Sequence, residues 1–209
     1  MPGLLPAAPV ALGPEAWWLP GFALGRAPAL LDAIAGVLAQ APLRQMQTPG
    51  GRRIGVAMSN CGALGWTSSR EGYRYTACDP LSGKPWPPLP ALLRALAADA
   101  AAAAGLPDPA PDACLINRYL PGVGMGLHQD RDERDLRAAI VSVSLGLPAV
   151  FLWGGLRRRD PVQAVPLAHG DVVVWGGVDR LRFHGVRRLA RAAQARWPCR
   201  WNLTLRRAG

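Results

Sequence analysis

GLHQDRDERDLRAAIVSVSLG, residues 126–146, joins an acidic cluster to a run in which apolar and small polar residues alternate. The alternation in IVSVSLG is typical of a β-strand with one apolar face, which predicts a strand of a sheet here. His128, one of only three histidines, directly precedes the acidic cluster. The clustered carboxylates are Asp130, Asp132, Glu133 and Asp135. They form either a solvated turn or a metal site beside a pocket for a cationic group.

Further strands with the same two-residue period lie on both sides of this stretch. ACLINRYL precedes it from residue 113, and AVFLW, DVVVW and CRWNLTLRR follow it, separated by Gly, Pro or Asp turns. PALLDAIAGVLAQ predicts a helix behind Pro28, and a second helix is predicted from Leu89 through the alanine run at 100–104. Residues 1–27 are rich in Pro, Gly and Ala, and we expect an irregular arm. Helices followed by antiparallel strands predict an α+β chain with a β-sandwich or barrel.

The composition limits the number of domains and favours a polyanionic partner. With 209 residues, half of them hydrophobic, the chain can bury one sizeable core, so we expect a single domain. The formal net charge is +10, and twelve arginines lie between residues 157 and 207 against three aspartates. Clustered guanidinium groups bind phosphates, which favours nucleic acid. The same excess of arginine can simply reflect the composition of the genome, so the charge alone does not establish a nucleic-acid partner.

The cysteines and the apolar segments indicate a cytoplasmic protein. The four cysteines are widely spaced without a CxxC pair, which predicts reduced thiols rather than a disulfide or zinc framework. No apolar run is long enough to span a membrane, and the N-terminus lacks the basic segment of a signal peptide. We therefore expect no membrane partner.

The last predicted strand has two different faces. Its apolar face consists of Trp201, Leu203 and Leu205. Its polar face carries two guanidinium groups, an amide and a hydroxyl, from Arg200, Asn202, Thr204 and Arg206. Because arginine forms bidentate bonds with carboxylates, this face suits a small dicarboxylate. An exposed row of arginines in a basic protein is the alternative.

A metal centre is predicted from His128, Asp130 and a distant histidine. An extended HxD pair points both side chains to one side, and His184 in LRFHGV can complete the set from a neighbouring strand. Two histidines and one carboxylate on one face of an ion are typical of non-haem Fe(II) oxygenases, with positions left for a 2-oxo acid and O2. A lone HxD pair also arises by chance. Asn117 and Tyr119, on one face of the first predicted strand, add support together with the arginine row.

Several stretches, in this order, resemble the AlkB family of Fe(II)- and 2-oxoglutarate-dependent nucleic-acid dealkylases: INRYLPG, LHQDRDERDLRAAIVSVSLG, GGLRRRDP, HGDVVVWGG, FHGV and RWNLTLR. The resemblance is strongest to the bacterial DNA-repair members, runs from about residue 42 to the C-terminus and includes SNCGALGWTSSREGY and DPLSGKPWP. It implies a double-stranded β-helix (jelly roll) with N-terminal helices and a nucleotide-recognition flap. The single domain 1–209 then comprises an N-terminal arm and helix (1–40), the flap (41–88), and a helix with the jelly roll (89–209).

The resemblance also implies a role for each candidate site residue. The Fe(II) ligands are then His128, Asp130 and His184. The residues that hold 2-oxoglutarate are Asn117, Tyr119, Arg200, Asn202 and Arg206. Within this set, Arg206 is expected to pair with the distal carboxylate and Arg200 to lie near the metal-bound end. The substrate residues are Trp66 stacked on the flipped base, Tyr73 and Tyr75 along the strand, Asp132 at the damaged base, and Arg158 at the nucleotide.

This set of roles offers a reason for an acidic spot in a basic protein. Methylation of a Watson–Crick ring nitrogen leaves the base cationic. A carboxylate and an aromatic face, here Asp132 and Trp66, suit such a cation, and the aromatic contact contributes roughly 0.5–2 kcal/mol. Glu133 and Asp135 are interpreted as solvated neighbours, or as partners of nearby arginines: Arg131, Arg134 and Arg137.

The expected reaction is oxidative demethylation of 1-methyladenine or 3-methylcytosine with Fe(II), 2-oxoglutarate and O2, releasing formaldehyde, succinate and CO2. Because a base is extruded most cheaply from a single strand, we expect alkylated single-stranded DNA as substrate, with double-stranded DNA or RNA as further ones. We expect a monomer without a protein partner. A 2-oxoglutarate oxygenase acting on RNA, protein or a small molecule is the alternative, and a non-catalytic nucleic-acid-binding module ranks below it.

Overall fold

The structure, a computed structural model, describes residues 8–191 and 196–209 of the chain. Its helices are α1 (Ala27–Gln40) and α2 (Ala91–Ala103), with 3-10 turns at Leu24–Arg26 and Gly177–Asp179. Its strands are β1 (Val10–Gly13), β2 (Ala16–Leu19), β3 (Ala57–Gly62), β4 (Gly65–Ser69), β5 (Gly72–Thr76), β6 (Ala113–Tyr119), β7 (Met125–His128), β8 (Ile140–Gly146), β9 (Ala149–Trp153), β10 (Gln163–Leu167), β11 (Val172–Trp175), β12 (His184–Val186) and β13 (Arg200–Arg206).

Two antiparallel sheets face each other as a double-stranded β-helix. The larger sheet has the strand order β1-β2-β11-β8-β13-β6-β3, and the smaller has the order β10-β9-β12-β7. Trp153 of β9 and Trp175 of β11 meet between the sheets, with ring centroids 5.9 Å apart. This topology confirms the predicted jelly roll, and it places the polar face of β13 in the interior between the sheets.

Both helices cover the outer face of the larger sheet. Val141, Val143 and Leu145 of β8 lie on that face and share one core cluster with Leu30 of α1 and Leu93 of α2. All of these side chains are fully buried. Burial of each contributes about 1.5–3 kcal/mol, so packing against the helices stabilises the outer face of the sheet, while its inner face carries polar groups. No helix in the described ranges is long and apolar enough to cross a membrane.

The predicted helices are confirmed, with small differences at their ends. Pro28 lies in the first turn of α1, where its missing N–H and fixed φ cost nothing. The second helix begins at Ala91, two residues after the predicted Leu89, and ends at Ala103. Gly105 follows with a φ of 70°, a left-handed conformation that glycine adopts without strain and that ends the helix.

The N-terminal segment is not an irregular arm. The strands β1 and β2 form a hairpin, and β2 pairs with β11, so residues 10–19 extend the larger sheet. The Asp171 carboxylate fixes this hairpin, since it accepts hydrogen bonds from Trp18 Nε1 at 3.0 Å and Gly21 N at 2.8 Å. Each strand has only four residues, too few for a two-residue period to stand out among the Gly and Pro turns.

The segment expected to form the flap, residues 41–88, belongs in part to the larger sheet. The strand β3 pairs with β6 from Ala57 to Gly62, so these residues belong to the larger sheet. The part that stands apart is the two-stranded sheet of β4 and β5, which we call the flap hairpin (residues 65–76). The strands β4 and β10, which the sequence pattern did not predict, lie in Ser-, Pro- and Gln-containing segments without a clear apolar alternation.

Replacing Asp171 by alanine should weaken the anchoring of the N-terminal hairpin. Its carboxylate also accepts a hydrogen bond from Ala168 N at 2.8 Å, so three N–H donors lose their acceptor in the variant. We expect the free energy of unfolding in urea to fall by about 3 kcal/mol or more. The matched control Asp32→Ala, at an exposed position of α1, should change it by less than about 0.5 kcal/mol. Equal stability of both variants would show that the hairpin is held by other contacts.

Candidate metal centre and substrate cleft

Three side chains from neighbouring elements form a candidate metal centre. His128 ends β7, His184 begins β12, and the two residues are direct partners across these strands. The ligand atoms of His128, Asp130 and His184 lie within 4.8 Å of one another. Asp130 lies 3.9 Å from His128 Nε2 through Oδ1 and 3.7 Å from His184 Nε2 through Oδ2. The structure thus brings together the predicted set of two histidines and one carboxylate, which suits Fe(II).

Backbone carbonyls determine which nitrogen of each histidine faces the centre. His128 Nδ1 lies 2.9 Å from the carbonyl oxygen of Gly126, and His184 Nδ1 lies 3.0 Å from that of Arg182. An N–H donated at Nδ1 leaves the lone pair of Nε2 directed into the shared space. Burial lowers the pKa of His184 to about 4, so this imidazole is neutral at pH 7 and can ligate a metal ion.

Arg206 orients the carboxylate of the centre. Its Nε and Nη2 atoms donate to Asp130 Oδ2 at 2.9 and 2.6 Å. Burial alone raises the pKa of Asp130, but Arg206 and the two histidines outweigh it and hold the pKa well below the usual range. The carboxylate is therefore anionic at neutral pH, as metal coordination requires.

Arg200 is a buried guanidinium without a carboxylate partner among the residues that the structure describes. Its Nη2 donates to Ser144 Oγ at 2.9 Å, and its Cζ lies 5.1 Å from the centroid of the Tyr119 ring. Its Nε and Nη1 have no hydrogen-bond partner within the described ranges. Burial lowers the pKa of this guanidinium. Since an uncompensated buried charge costs several kcal/mol, Arg200 is a site for an anionic ligand.

The remaining residues of the predicted dicarboxylate site lie around the same interior space. One cavity is lined by both arginines and both histidines together with Asn117, Tyr119 and Asn202. The amide of Asn202 donates to Ser142 Oγ at 2.8 Å, which fixes it on the inner face of the larger sheet. The structure therefore brings every residue expected to hold 2-oxoglutarate to one cavity, which both histidines of the metal centre also line.

A second, open cleft of about 740 Å³ connects the metal centre with the surface. It is lined by His128 and by four of the expected substrate residues: Trp66, Tyr73, Asp132 and Arg158. Trp66 donates from Nε1 to Asp132 Oδ2 at 2.9 Å, and its ring stacks on Tyr73 with centroids 5.5 Å apart. An aromatic face and a carboxylate thus meet at one place in the cleft.

Comparisons with known proteins agree with this geometry. The model of the 2OG-Fe(II) oxygenase superfamily matches residues 15–206. The alpha-ketoglutarate-dependent dioxygenase AlkB of Salmonella typhimurium (strain LT2) is 56% identical over 198 residues, which cover 94% of this chain and 92% of that protein. This chain belongs to the AlkB family of 2OG-Fe(II) oxygenases.

Two further AlkB-family proteins extend the comparison. The human nucleic acid dioxygenase ALKBH1 is 34% identical over 119 residues, which are 56% of this chain and 31% of that protein. The solved structure of OsALKBH1 superposes with a TM-score of 0.81 at 29% identity, and the match covers 94% of this chain and 100% of that one. Membership in the AlkB family makes this chain a dioxygenase that uses Fe(II), 2-oxoglutarate and O2. The donor set and the unpaired Arg200 fit these groups.

The positions of the two arginines of β13 in the site are the reverse of those expected. Arg206 is held against Asp130, so its guanidinium lies beside the candidate metal centre. Arg200 is the one with free donors. The expectation that Arg200 lies near the metal-bound end is therefore wrong. Both side chains leave the same face of the strand, and the sequence does not show which end of that face approaches the metal.

Two residues near the centre have surroundings that the sequence did not indicate. Tyr75 is absent from the lining of the cleft, and its hydroxyl donates to Glu133 Oε1 at 2.7 Å. The interpretation of Glu133 as a solvated neighbour is wrong, because the residue is only 7% exposed and its Oε2 accepts from Arg180 Nη2 at 3.1 Å. Its partners lie 47 and 58 residues away, beyond any local pattern. Asp135 does pair with Arg137, at 2.9 Å.

Replacing His128 by alanine should remove metal binding while the fold persists. We expect Fe(II) content and 2-oxoglutarate turnover to fall by more than about 100-fold, since even outer partners of metal ligands are worth 10–100-fold. Metal analysis, succinate formation and the free energy of unfolding are the measurements. The matched control is His169→Ala, because His169 lies outside the triad and accepts a hydrogen bond from Gly146 N at 2.9 Å. Full activity of the His128 variant would exclude it as a ligand.

Proposed function

We propose that this protein oxidatively demethylates nucleobases, with 1-methyladenine and 3-methylcytosine in DNA as its substrates. The observation that carries the proposal is the contact between Trp66 and Asp132 in the cleft beside His128. These ring-methylated bases are cations at neutral pH. A carboxylate and an indole face at the entrance to the oxidising centre suit a cationic flat ring better than a neutral small molecule.

The protein's own residues position the reactants. When bound, Fe(II) with 2-oxoglutarate and O2 supplies the oxidising power to hydroxylate an N-methyl group, which leaves as formaldehyde while succinate and CO2 are released. Trp66 offers a stacking surface for the flipped base, and Asp132 offers an acceptor for its exocyclic amino group. Arg206 holds Asp130 in place, so the metal-facing side of the centre is fixed before the base enters.

The rim of the cleft supports a nucleic acid rather than a free nucleobase. The exposed arginines that line it are Arg52, Arg53, Arg131 and Arg158. Exposed guanidinium groups bind backbone phosphates and contribute affinity that falls with salt. The name of the human relative, a nucleic acid dioxygenase, points the same way. Single-stranded DNA is the proposed substrate because extrusion from a duplex costs a few kcal/mol more, and double-stranded DNA or RNA are secondary substrates.

The buried arginines suggest how 2-oxoglutarate lies in the interior. We place its distal carboxylate on Arg200, whose Nε and Nη1 are free in the described structure, with Tyr119 beside it. The end that binds the metal then lies near Arg206. Asn117 and Asn202 line the space between the sheets and complete the polar wall.

We also propose a cellular compartment, an oligomeric state and a division of the chain into parts. All four cysteines are free, which supports a reducing compartment such as the cytoplasm. We propose a monomer, since the metal and substrate residues all come from one chain. We also propose that the segment 41–88 acts as the nucleotide-recognition flap through its hairpin, with 1–40 and 89–209 as the remaining parts of one domain.

Replacing Arg200 by glutamine should raise the KM for 2-oxoglutarate by about 10–100-fold, because a charge-assisted bond contributes roughly 1.5–3 kcal/mol. Succinate formation as a function of 2-oxoglutarate concentration measures this change. The matched control is Arg94→Gln, at an exposed position of α2 outside both cavities. An unchanged KM in the Arg200 variant would mean that another cation binds the distal carboxylate.

The proposed reaction is tested by incubating the protein with Fe(II), 2-oxoglutarate, ascorbate and O2 on single-stranded DNA carrying one 1-methyladenine. We expect the oligonucleotide to lose the mass of one methylene, with formaldehyde and succinate formed in equal amounts. Reactions without 2-oxoglutarate and with the His128→Ala variant serve as controls. Succinate formation with an unchanged oligonucleotide would contradict the proposal and direct the search to RNA, protein or small-molecule substrates.

A further inference from the structure

We propose that Glu133 is a positioning residue that couples the packing of the flap hairpin against the 130–133 segment to the orientation of Arg206. One carboxylate contacts both parts. Its Oε1 accepts the Tyr75 hydroxyl at 2.7 Å and lies 3.4 Å from Arg206 Nε. Tyr75 belongs to β5 of the hairpin, and Arg206 ends β13 beside Asp130. A movement of the hairpin is therefore transmitted to the guanidinium that holds a metal ligand.

The core side of this connection is fixed by Arg180. Its Nη2 donates to Glu133 Oε2 at 3.1 Å, and its Nη1 donates to the Asp130 carbonyl oxygen at 2.5 Å. A further bond from its Nε reaches the Ala138 carbonyl oxygen at 3.1 Å. Arg180 is 2% exposed, so it holds both ends of the 130–133 segment in the interior.

The charges of the cluster require a carboxylate at position 133. Two guanidinium groups, Arg180 and Arg206, are balanced by two buried carboxylates, Asp130 and Glu133. Without Glu133, Arg206 and Arg180 would share one acidic side chain, and an uncompensated charge would remain in the interior. Burial raises the pKa of Tyr75 above its ordinary value, so its hydroxyl stays protonated as the donor to Glu133.

The position of the Tyr75–Glu133 bond within the hairpin explains why this bond controls how the hairpin packs against the 130–133 segment. Asn60 binds the start of the hairpin through the Trp66 backbone at 3.0 Å, and Trp86 Nε1 binds the Thr76 carbonyl oxygen at 2.9 Å. These bonds hold its ends to neighbouring segments outside the metal centre. The hairpin reaches the 130–133 segment through two side-chain bonds, Trp66 to Asp132 and Tyr75 to Glu133.

The two bonds differ in what a bound base does to them. On the proposed function, a base takes Asp132 as its acceptor and competes with Trp66 for it. The Tyr75 bond to Glu133 lies outside the cleft lining and persists. It then remains as the side-chain link between the seated hairpin and the metal-side arginine.

Hydrogen–deuterium exchange and metal binding, both without nucleic acid, test the proposal. Tyr75→Phe should speed amide exchange of residues 65–76 by about tenfold, because one charge-assisted bond is lost. Loading the wild type with Mn²⁺ and 2-oxoglutarate should slow this exchange, and the slowing should be lost in Tyr75→Phe. Glu133→Gln should in addition weaken Mn²⁺ binding by about tenfold, as outer partners of metal ligands do.

Tyr73→Phe is the matched control for exchange, since Tyr73 lies on the same strand, is half exposed, and keeps its ring stacked on Trp66 in the variant. It should leave the exchange of the hairpin unchanged. If Glu133→Gln does not fold, Tyr75→Phe still decides, because it keeps every charge of the cluster. Wild-type exchange in Tyr75→Phe, loaded or free, would overturn the coupling. Neither measurement uses a methylated base, so failure of the demethylation assay is a separate result.

Discussion

The buried ion pair between Arg206 and Asp130 is the interaction on which the site depends. A metal ligand must be anionic, yet burial opposes an anion by several kcal/mol. The two bonds from Arg206 remove this conflict and at the same time fix one carboxylate oxygen in space. Arg206 is itself buried, and its pKa, which burial alone lowers, is raised above the ordinary value by Asp130 and neighbouring groups. Each partner therefore keeps the other charged.

The larger sheet makes this arrangement possible because its two faces have opposite characters. On the outer face, valines and leucines of β8 and β13 pack against both helices. On the inner face, the alternate residues of the same strands supply two serines, an asparagine, a threonine and two arginines. The helices thus provide the apolar burial that stabilises the sheet, and the inner face is free to hold a polar ligand. A shift of one residue in register would exchange the two faces.

The sequence predicted those features that depend on local spacing. An HxD pair needs only two positions, and the polar face of β13 needs only alternation, so His128, Asp130 and the row from Arg200 to Arg206 were found without the fold. The pairing of His184 with His128 joins two distant strands, so the sequence offered His184 only as a candidate third ligand, and the resemblance to the AlkB family then implied that role. The direction of the arginine row and the burial of Glu133 depend on contacts between distant segments, and local patterns carry no information about them.

The basic residues of the chain include two populations, one buried in ion pairs and one exposed, which a single net charge does not distinguish. Arg180 and Arg206 are buried and bound to carboxylates, so they contribute little to the field outside the protein. The exposed arginines around the cleft instead contribute to the electrostatic potential outside the protein, which favours the approach of a polyanion. Asp132 lies where the two populations meet, exposed among the rim arginines and bonded to Trp66. On the proposed function, a strand is attracted by its phosphates, and a base that carries positive charge gains further from the carboxylate in the cleft. Selectivity for a charged lesion would then follow from placing one acidic group inside a basic rim.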